Sequence, residues 1–166
     1  MKTIFIVRHA KSSWKYPRLD DFERPLNKRG SRDAPLMGRR LKKRQVMPER
    51  IFASPAVRAA MTARIIAAVL GYPLRDICYS EALYDFSESS LLQVVRQMDD
   101  TISKAMIVGH NPAVTALANH VGDQVVSNLP TAAVYAVATA VSRWADIDAQ
   151  CGKVIFFDFP KKQTGE

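Results

Sequence analysis

The sequence is poor in cysteine: Cys78 and Cys151 are the only two in 166 residues. Two cysteines build neither a disulfide framework nor a cysteine zinc cluster, so they read as reduced thiols. Long apolar runs are also missing. No window approaches the ~18 uninterrupted apolar residues of a membrane-spanning helix, so no membrane partner is expected. The N-terminal run Thr3-Ile4-Phe5-Ile6-Val7 is too short for a secretory signal, and it meets Arg8-His9 instead of a small-residue cleavage site. A cytoplasmic protein is the expectation. There is no internal repeat and no interior low-complexity linker. Only residues 161–166 (KKQTGE) read as a loose tail, which leaves residues 1–160 as a single expected domain. With 48% hydrophobic and 24% charged residues, the composition excludes wholesale disorder.

Charge is present in excess, and it is unevenly placed. Residues 1–50 hold 15 Lys/Arg against 5 Asp/Glu, and residues 51–166 hold 9 against 11, so the basic excess lies wholly in the first third. Such a field attracts a nucleic acid, an acidic protein or a phosphorylated ligand. The run Arg39-Arg40-Leu41-Lys42-Lys43-Arg44 alone reads more simply as a solvated helix face.

Strand and helix signals alternate along the chain. Residues 3–7 form a β-branched and aromatic run, the mark of a buried strand. A polar loop follows over about residues 9–27. Asn27 then offers an N-cap for a basic helix running to about residue 45, with Pro35 predicting a kink or two shorter helices. Residues 51–53 read as a second strand. Ser54 is placed to cap the next helix, with Pro55 in its first turn, an apolar stripe at Val57, Ala60, Met61, Ile65, Ala68 and Val69, and Gly71 as its stop. A third strand is expected over 74–79 and a helix around Leu91, Val94, Val95 and Met98. A fourth strand over 105–108 ends at Gly109-His110. Asn111 and Pro112 open a further helix bearing Val114, Leu117, Ala118 and Val121, which Gly122 stops. Late strands over 133–139 and 153–159 suit an antiparallel edge pair. The β-α-β-α order predicts a three-layer α/β/α sandwich around a mostly parallel sheet.

In a parallel sheet, ligands bind at the carboxyl ends of the strands. Here Arg8 and His9 follow the first strand, Ser54 and then Arg58 follow the second, Glu81 follows the third and His110 the fourth. A neutral imidazole is a good nucleophile toward phosphorus, and guanidinium forks match phosphoryl oxygens. A second imidazole can donate to the transferring group, helix N-termini favour an anion, and a carboxylic acid can protonate a leaving group. The set points to phosphoryl transfer through a covalent phosphohistidine. The arginines neutralise charge that a metal ion would otherwise handle, so no metal or cofactor is expected.

The same residues carry a family resemblance. Arg8-His9-Ala10 resembles the Arg-His-Gly motif of the histidine phosphatase (phosphoglycerate-mutase-like) superfamily, with Ala10 in place of the broad family's glycine. Ser54-Pro55-Ala56-Val57-Arg58 and Gly109-His110-Asn111-Pro112 resemble its second and third motifs. Arg8-His9-Ala10-Lys11-Ser12-Ser13-Trp14 and Arg24-Pro25-Leu26-Asn27-Lys28-Arg29-Gly30 are similar to the SixA-like phosphohistidine phosphatase branch. The resemblance implies that His9 is the nucleophile and that Arg8, Arg58 and His110 hold the phosphoryl group. It places Glu81 where the wider superfamily has its general acid, with Asp85 and Glu88 as rivals.

His120 reads as structural, Arg64 as a structural surface residue and Trp144 as packing. Asp20, Asp21 and Arg24 are placed to order the loop over the site, and Trp14 is left open between packing and a substrate groove. The function expected is metal-independent hydrolysis of phosphohistidine on a partner protein. A small-molecule phosphomonoesterase of the same superfamily is the alternative. The span from the third strand to the next helix, about ten residues, is too short for a large lid, which suits a macromolecular substrate. A basic nucleic-acid-binding module is the alternative of another class. It is disfavoured because the basic third has no interleaved aromatic stacking platform.

Overall fold

The computed structural model describes residues 1–162. The tail expected at 161–166 therefore lies, from residue 163 on, outside the described residues. The elements are β1 (Lys2–Arg8), α1 (Lys28–Lys43), β2 (Arg50–Ala53), α2 (Val57–Leu70), β3 (Cys78–Tyr79), α3 (Glu88–Arg96), β4 (Lys104–Gly109), α4 (Ala113–Val121), β5 (Val134–Thr139) and β6 (Gly152–Asp158). They build one six-stranded sheet in the order β3-β2-β4-β1-β5-β6. β3, β2, β4 and β1 are mutually parallel. β5 runs antiparallel to both of its neighbours, β1 and β6. The antiparallel strand is thus one place inside the edge, and β6 returns to the direction of the parallel set. No helix among the described residues is long and apolar enough to cross a membrane.

β1 is buried along nearly its whole length, as a strand covered on both faces must be. Its side chains alternate between two apolar clusters. Ile4 and Ile6 pack with α3 and α4 residues such as Leu91, Val95, Val114 and Leu117. Phe5 and Val7 pack with α1 and α2 residues such as Met37, Leu41, Ala63 and Ile66. Strand alternation places the two clusters on opposite faces of the sheet. Trp144 is fully buried in the first cluster, as its packing assignment requires.

Several local expectations change in detail. α1 runs as one 16-residue helix through Pro35, and the Asn27 side chain accepts from Gly30 N as an N-cap should. Ser31, whose carbonyl loses its helical partner at Pro35, is exposed to water, which reduces the cost of the proline. The third strand shortens to Cys78–Tyr79 behind a 3-10 turn at Leu74–Asp76.

The buried face of α2 is Arg58, Ala59, Thr62, Ala63, Ile66, Ala67 and Leu70, not the expected stripe. Ala59, Ala63 and Ala67 pack in the cluster on that face of the sheet, while Val69 of the expected stripe lies half-buried against α1, where a Cβ at Gly38 would meet its Cβ at 3.0 Å. Met61 and Ile65 of the expected stripe pack only partly buried against the same cluster. The inward turn of this face also carries Arg58 and Thr62 toward the carboxyl end of the sheet.

Candidate active site

β1 and β4 are neighbours in register, with Arg8 opposite Gly109. The residues that follow them are therefore brought side by side. His9 N donates to Gly109 O at 3.1 Å, and the His9 and His110 rings lie 5.1 Å apart between centroids. Together with Arg8 and Arg58 they line a cleft of about 290 Å³, whose other walls include Lys11, Trp14, Asp21, Arg24 and Phe86.

Each group is held from behind. His9 Nδ1 lies 2.7 Å from the carbonyl of Ala10. A carbonyl only accepts, so the proton sits on Nδ1 and Nε2 keeps a free lone pair. Ala10 N in turn donates to Thr62 Oγ1, and the Thr62 hydroxyl donates to Arg58 O. The turn after β1 is thereby tied to the first turns of α2. His110 Nε2 is 2.8 Å from Ser54 Oγ, and the same oxygen accepts from Ala56 N. Ser54 therefore braces the second histidine as well as the start of α2; the helix itself has no side-chain cap. Arg8 donates to Leu129 O at 2.9 Å. Arg8 Nε, Arg58 Nε and His110 Nδ1 are buried without a hydrogen-bond partner among the described residues. The two guanidinium N–H groups beside a cationic cleft favour an anionic ligand.

The electrostatics favour neutral imidazoles beside fixed cations. Burial, and then the charges of Arg58, Arg8 and Arg24, push the His9 pKa down to about 4. Burial, followed by His9 and Arg58, pushes His110 down to about 3. Burial also lowers Arg8.

Asp21 is the one carboxylate lining the cleft among the described residues. Its Oδ2 accepts from Arg58 at 3.0 Å and from the Tyr84 hydroxyl at 2.8 Å, and its Oδ1 accepts from Arg24 at 3.1 Å. Burial alone would raise its pKa, but the bonds from Tyr84 and Arg58 and the charge of Arg58 outweigh this and hold it at about 2. It is an ionised clamp on the arginines, not a proton source.

The structure brings Arg8, His9, Arg58 and His110 together and leaves Glu81 apart. Glu81 is exposed at the start of a 3-10 turn, Glu81–Leu83, and does not line the cleft. Its rivals are engaged elsewhere: Asp85 bonds Ser87 N and Ser90 Oγ, and Glu88 pairs with His120 at 2.9 Å. Arg24 and Trp14 do reach the cleft, the guanidinium lying 3.6 Å from the indole centroid.

Sequence reasoning passed over the aromatic wall. Tyr84 meets His110 edge-on at 5.4 Å and Phe86 does so at 5.8 Å, while Phe22 braces Tyr84. Their position just after the third strand was the available signal. The basic run at the end of α1 is in part the solvated face expected, with Arg39, Lys42, Lys43 and Arg44 exposed, and in part used internally. Leu41 is buried, Arg40 pairs with Asp158 at 3.0 Å and Arg44 approaches it at 3.7 Å.

A model of the histidine phosphatase superfamily, branch 1, matches residues 4–88. The chain belongs to that superfamily. An uncharacterised protein of Mycobacterium tuberculosis is 29% identical over 93% of this chain and the whole of its own length. Among solved structures, one from Agrobacterium tumefaciens assigned as the phosphohistidine phosphatase SixA is 25% identical. Its TM-score is 0.79, with 96% of this chain and 98% of that one covered. The protein histidine phosphatase SixA complexed with tungstate superimposes with a TM-score of 0.75 at 21% identity, covering 95% and 97%. The fold is SixA-like, and superfamily membership supports phosphatase activity.

Proposed function

We propose that this chain removes the phosphoryl group from phosphohistidine on a protein, through a covalent phosphohistidine on its own His9, without a metal or cofactor. The observation that carries the reading is the make-up of the cleft: a neutral imidazole with its free Nε2, a surround of arginines, and no protonated acid.

In the first step His9 Nε2 forms a bond to phosphorus as the substrate's P–N bond breaks. The leaving imidazole keeps the bonding pair and takes a proton from water or leaves already protonated. In the second step water attacks phosphorus, the bond to His9 breaks, and inorganic phosphate departs. Arg8, Arg58 and His110 bind the phosphoryl oxygens, the arginines through the donors that are unmet in the free protein. Asp21 positions Arg58. An alkoxide leaving group needs a proton in the transition state, whereas an imidazole manages with less help. A cleft whose carboxylate is ionised therefore favours the phosphoramidate bond. Glu81, exposed beyond the cleft, serves as acid only for phosphomonoesters in this reading.

Residues 1–160 act as one domain, with α1/α2 and α3/α4 as the outer layers of a three-layer α/β/α sandwich. The absence of a membrane-length helix and the reduced cysteines suit work on a cytoplasmic partner protein. The test is a hydrolysis panel in EDTA: a phosphohistidine protein, phosphoramidate, p-nitrophenyl phosphate and sugar phosphates. The phosphohistidine protein should give the highest kcat/KM, by about tenfold or more over the esters. A clear preference for a sugar phosphate overturns the substrate assignment, and activity abolished by EDTA and restored by a metal overturns the chemistry.

A further inference from the structure

The cleft does not end at the phosphoryl site. Lys11, Ser12 and Trp14, which line it, also line an adjoining groove of about 650 Å³ together with Lys15, Tyr16, Lys28 and Arg29. Lys15 and Tyr16 continue into a third hollow of about 450 Å³, bounded by Pro17, Arg18 and Leu19. One track therefore leads from the histidines, past a cationic stretch, to an apolar end.

Its charge is one-sided. Four cations line the groove and no carboxylate does among the described residues. Arg29 is partly engaged, at 3.4 Å from Asp33, but no carboxylate among the described residues lies within ion-pair distance of Lys11, Lys15 or Lys28. At the far end of α1, by contrast, Arg40 and Arg44 share Asp158. Apolar surface is left open beside them: Trp14 is 73% exposed and Tyr16 50%. Exposed aromatics among unpaired cations at the mouth of a site are the features of a protein-docking surface, where aromatic anchors supply affinity and charge supplies register and on-rate.

We infer that the groove bounded by Lys11, Trp14, Lys15, Tyr16 and Lys28 docks an acidic segment of the phosphoprotein next to its phosphohistidine, with an apolar side chain seated in the hollow at Leu19. The inference rests on the phosphatase reading and names the partner's local chemistry. Charge complementarity selects the occupant. A nucleic acid would meet the same cations and, contrary to the sequence reading of no aromatic platform, would find Trp14 and Tyr16 exposed among them for stacking, but it would leave the hollow at Leu19 without an apolar partner.

The test uses two synthetic peptides phosphorylated on one histidine, identical except that one carries Asp/Glu and the other Asn/Gln beside it. Potassium phosphoramidate is the substrate too small to reach the groove. Wild type should hydrolyse the acidic peptide with a kcat/KM about tenfold above the neutral one at low salt, the gap closing as salt rises. Lys15→Glu with Lys28→Glu, two exposed positions outside the phosphoryl cleft, should abolish the preference and leave phosphoramidate turnover within about twofold of wild type. Phosphoramidate hydrolysis with no preference between peptides overturns the docking inference and leaves the phosphatase reading standing. Failure on all three substrates overturns the phosphatase reading instead. Docking is then read separately, from quenching of Trp14 fluorescence by the unphosphorylated acidic peptide. Quenching in wild type and not in the double variant supports docking, and a single-stranded oligonucleotide that binds more tightly than the peptide overturns it.

Discussion

Two arginine clusters in this protein make opposite use of the same side chain. At the C-terminal end of α1, Arg40 donates to Asp158 and to the carbonyls of Phe159 and Pro160, and Arg44 lies over Phe156. Asp158 is 1% exposed, so two cations close around one buried anion. At the carboxyl ends of β1 and β4, Arg8, Arg24 and Arg58 gather around two neutral histidines with one carboxylate, Asp21, which is 44% exposed. There the charge does not close, and buried donors stay unmet. The first cluster ties β6 to α1 through Asp158 Oδ1, while Asp158 Oδ2 is buried with Arg44 at 3.7 Å and no hydrogen bond among the described residues. The second is braced by Asp21, Ser54 and Thr62 around an open cleft that favours an anion. Both clusters carry a positive surplus; what separates them is placement, one closing around a buried carboxylate and the other lining an open cleft beside two neutral histidines.

The sharpest way to break this comparison is to truncate one arginine in each cluster. Arg58→Ala should lower kcat/KM by about 10³-fold, because the guanidinium meets charge in both ground and transition states. Its melting temperature should change little. Arg40→Ala should cost about 2 kcal/mol of stability by leaving Asp158 less well compensated, and kcat/KM of the folded protein should stay within twofold of wild type (about 2-fold resolution). Stability measured by urea titration and activity on phosphoramidate separate the two. Activity lost at Arg40 with stability lost at Arg58 would invert the account.

A smaller effect sharpens the electrostatic side. Burial holds the His9 pKa down at about 4 and the His110 pKa down at about 3, below the ordinary 6.5. Above pH 6.5 both are neutral folded or unfolded. As pH falls from 6.5 toward 4, the unfolded chain takes up protons that the folded chain refuses, so folding stability falls over that window. Urea midpoints at pH 7 and pH 5 should show the loss, and the His9→Ala, His110→Ala double variant should show less of it. An equal loss in the double variant would mean that the two rings are not the cause. The smallest effect is expected at Glu81: Glu81→Gln should leave phosphohistidine hydrolysis within about twofold and slow hydrolysis of a sugar phosphate, whose alkoxide needs a proton to leave, more. Equal, large losses on both would bring Glu81 back into the phosphohistidine reaction.

The difference between the two clusters was only partly legible in the sequence. Arg8, His9, Arg58 and His110 stood at strand ends, and a parallel sheet brings such ends together whatever the loops do. The face of α2 was read wrongly because its residues are apolar nearly all round, so periodicity had little to choose between. The observed face instead sets Ala59, Ala63, Ile66 and Ala67 in the core cluster and turns Arg58 and Thr62 inward with them. Glu81 was placed by the same strand-end logic as the histidines, but the chain turns there into a 3-10 helix that leaves the side chain in water. Tyr84, Phe86 and the clamp made by Asp21 depend on how two loops meet, a long-range fact that no spacing records. The internal use of Arg40 and Arg44 was equally hidden, since Asp158 lies 118 residues away.

The central claim is that His9 carries the phosphoryl group during turnover. The direct measurement is to quench wild-type protein during steady-state hydrolysis of a phosphohistidine substrate, in alkali, and to locate any phosphoryl group by peptide mass spectrometry. The account predicts one phosphoryl group on the peptide containing His9, stable in alkali, lost in acid, and absent from His9→Ala protein that no longer turns over. A phosphoryl group on another residue, or turnover that continues in His9→Ala, would contradict it.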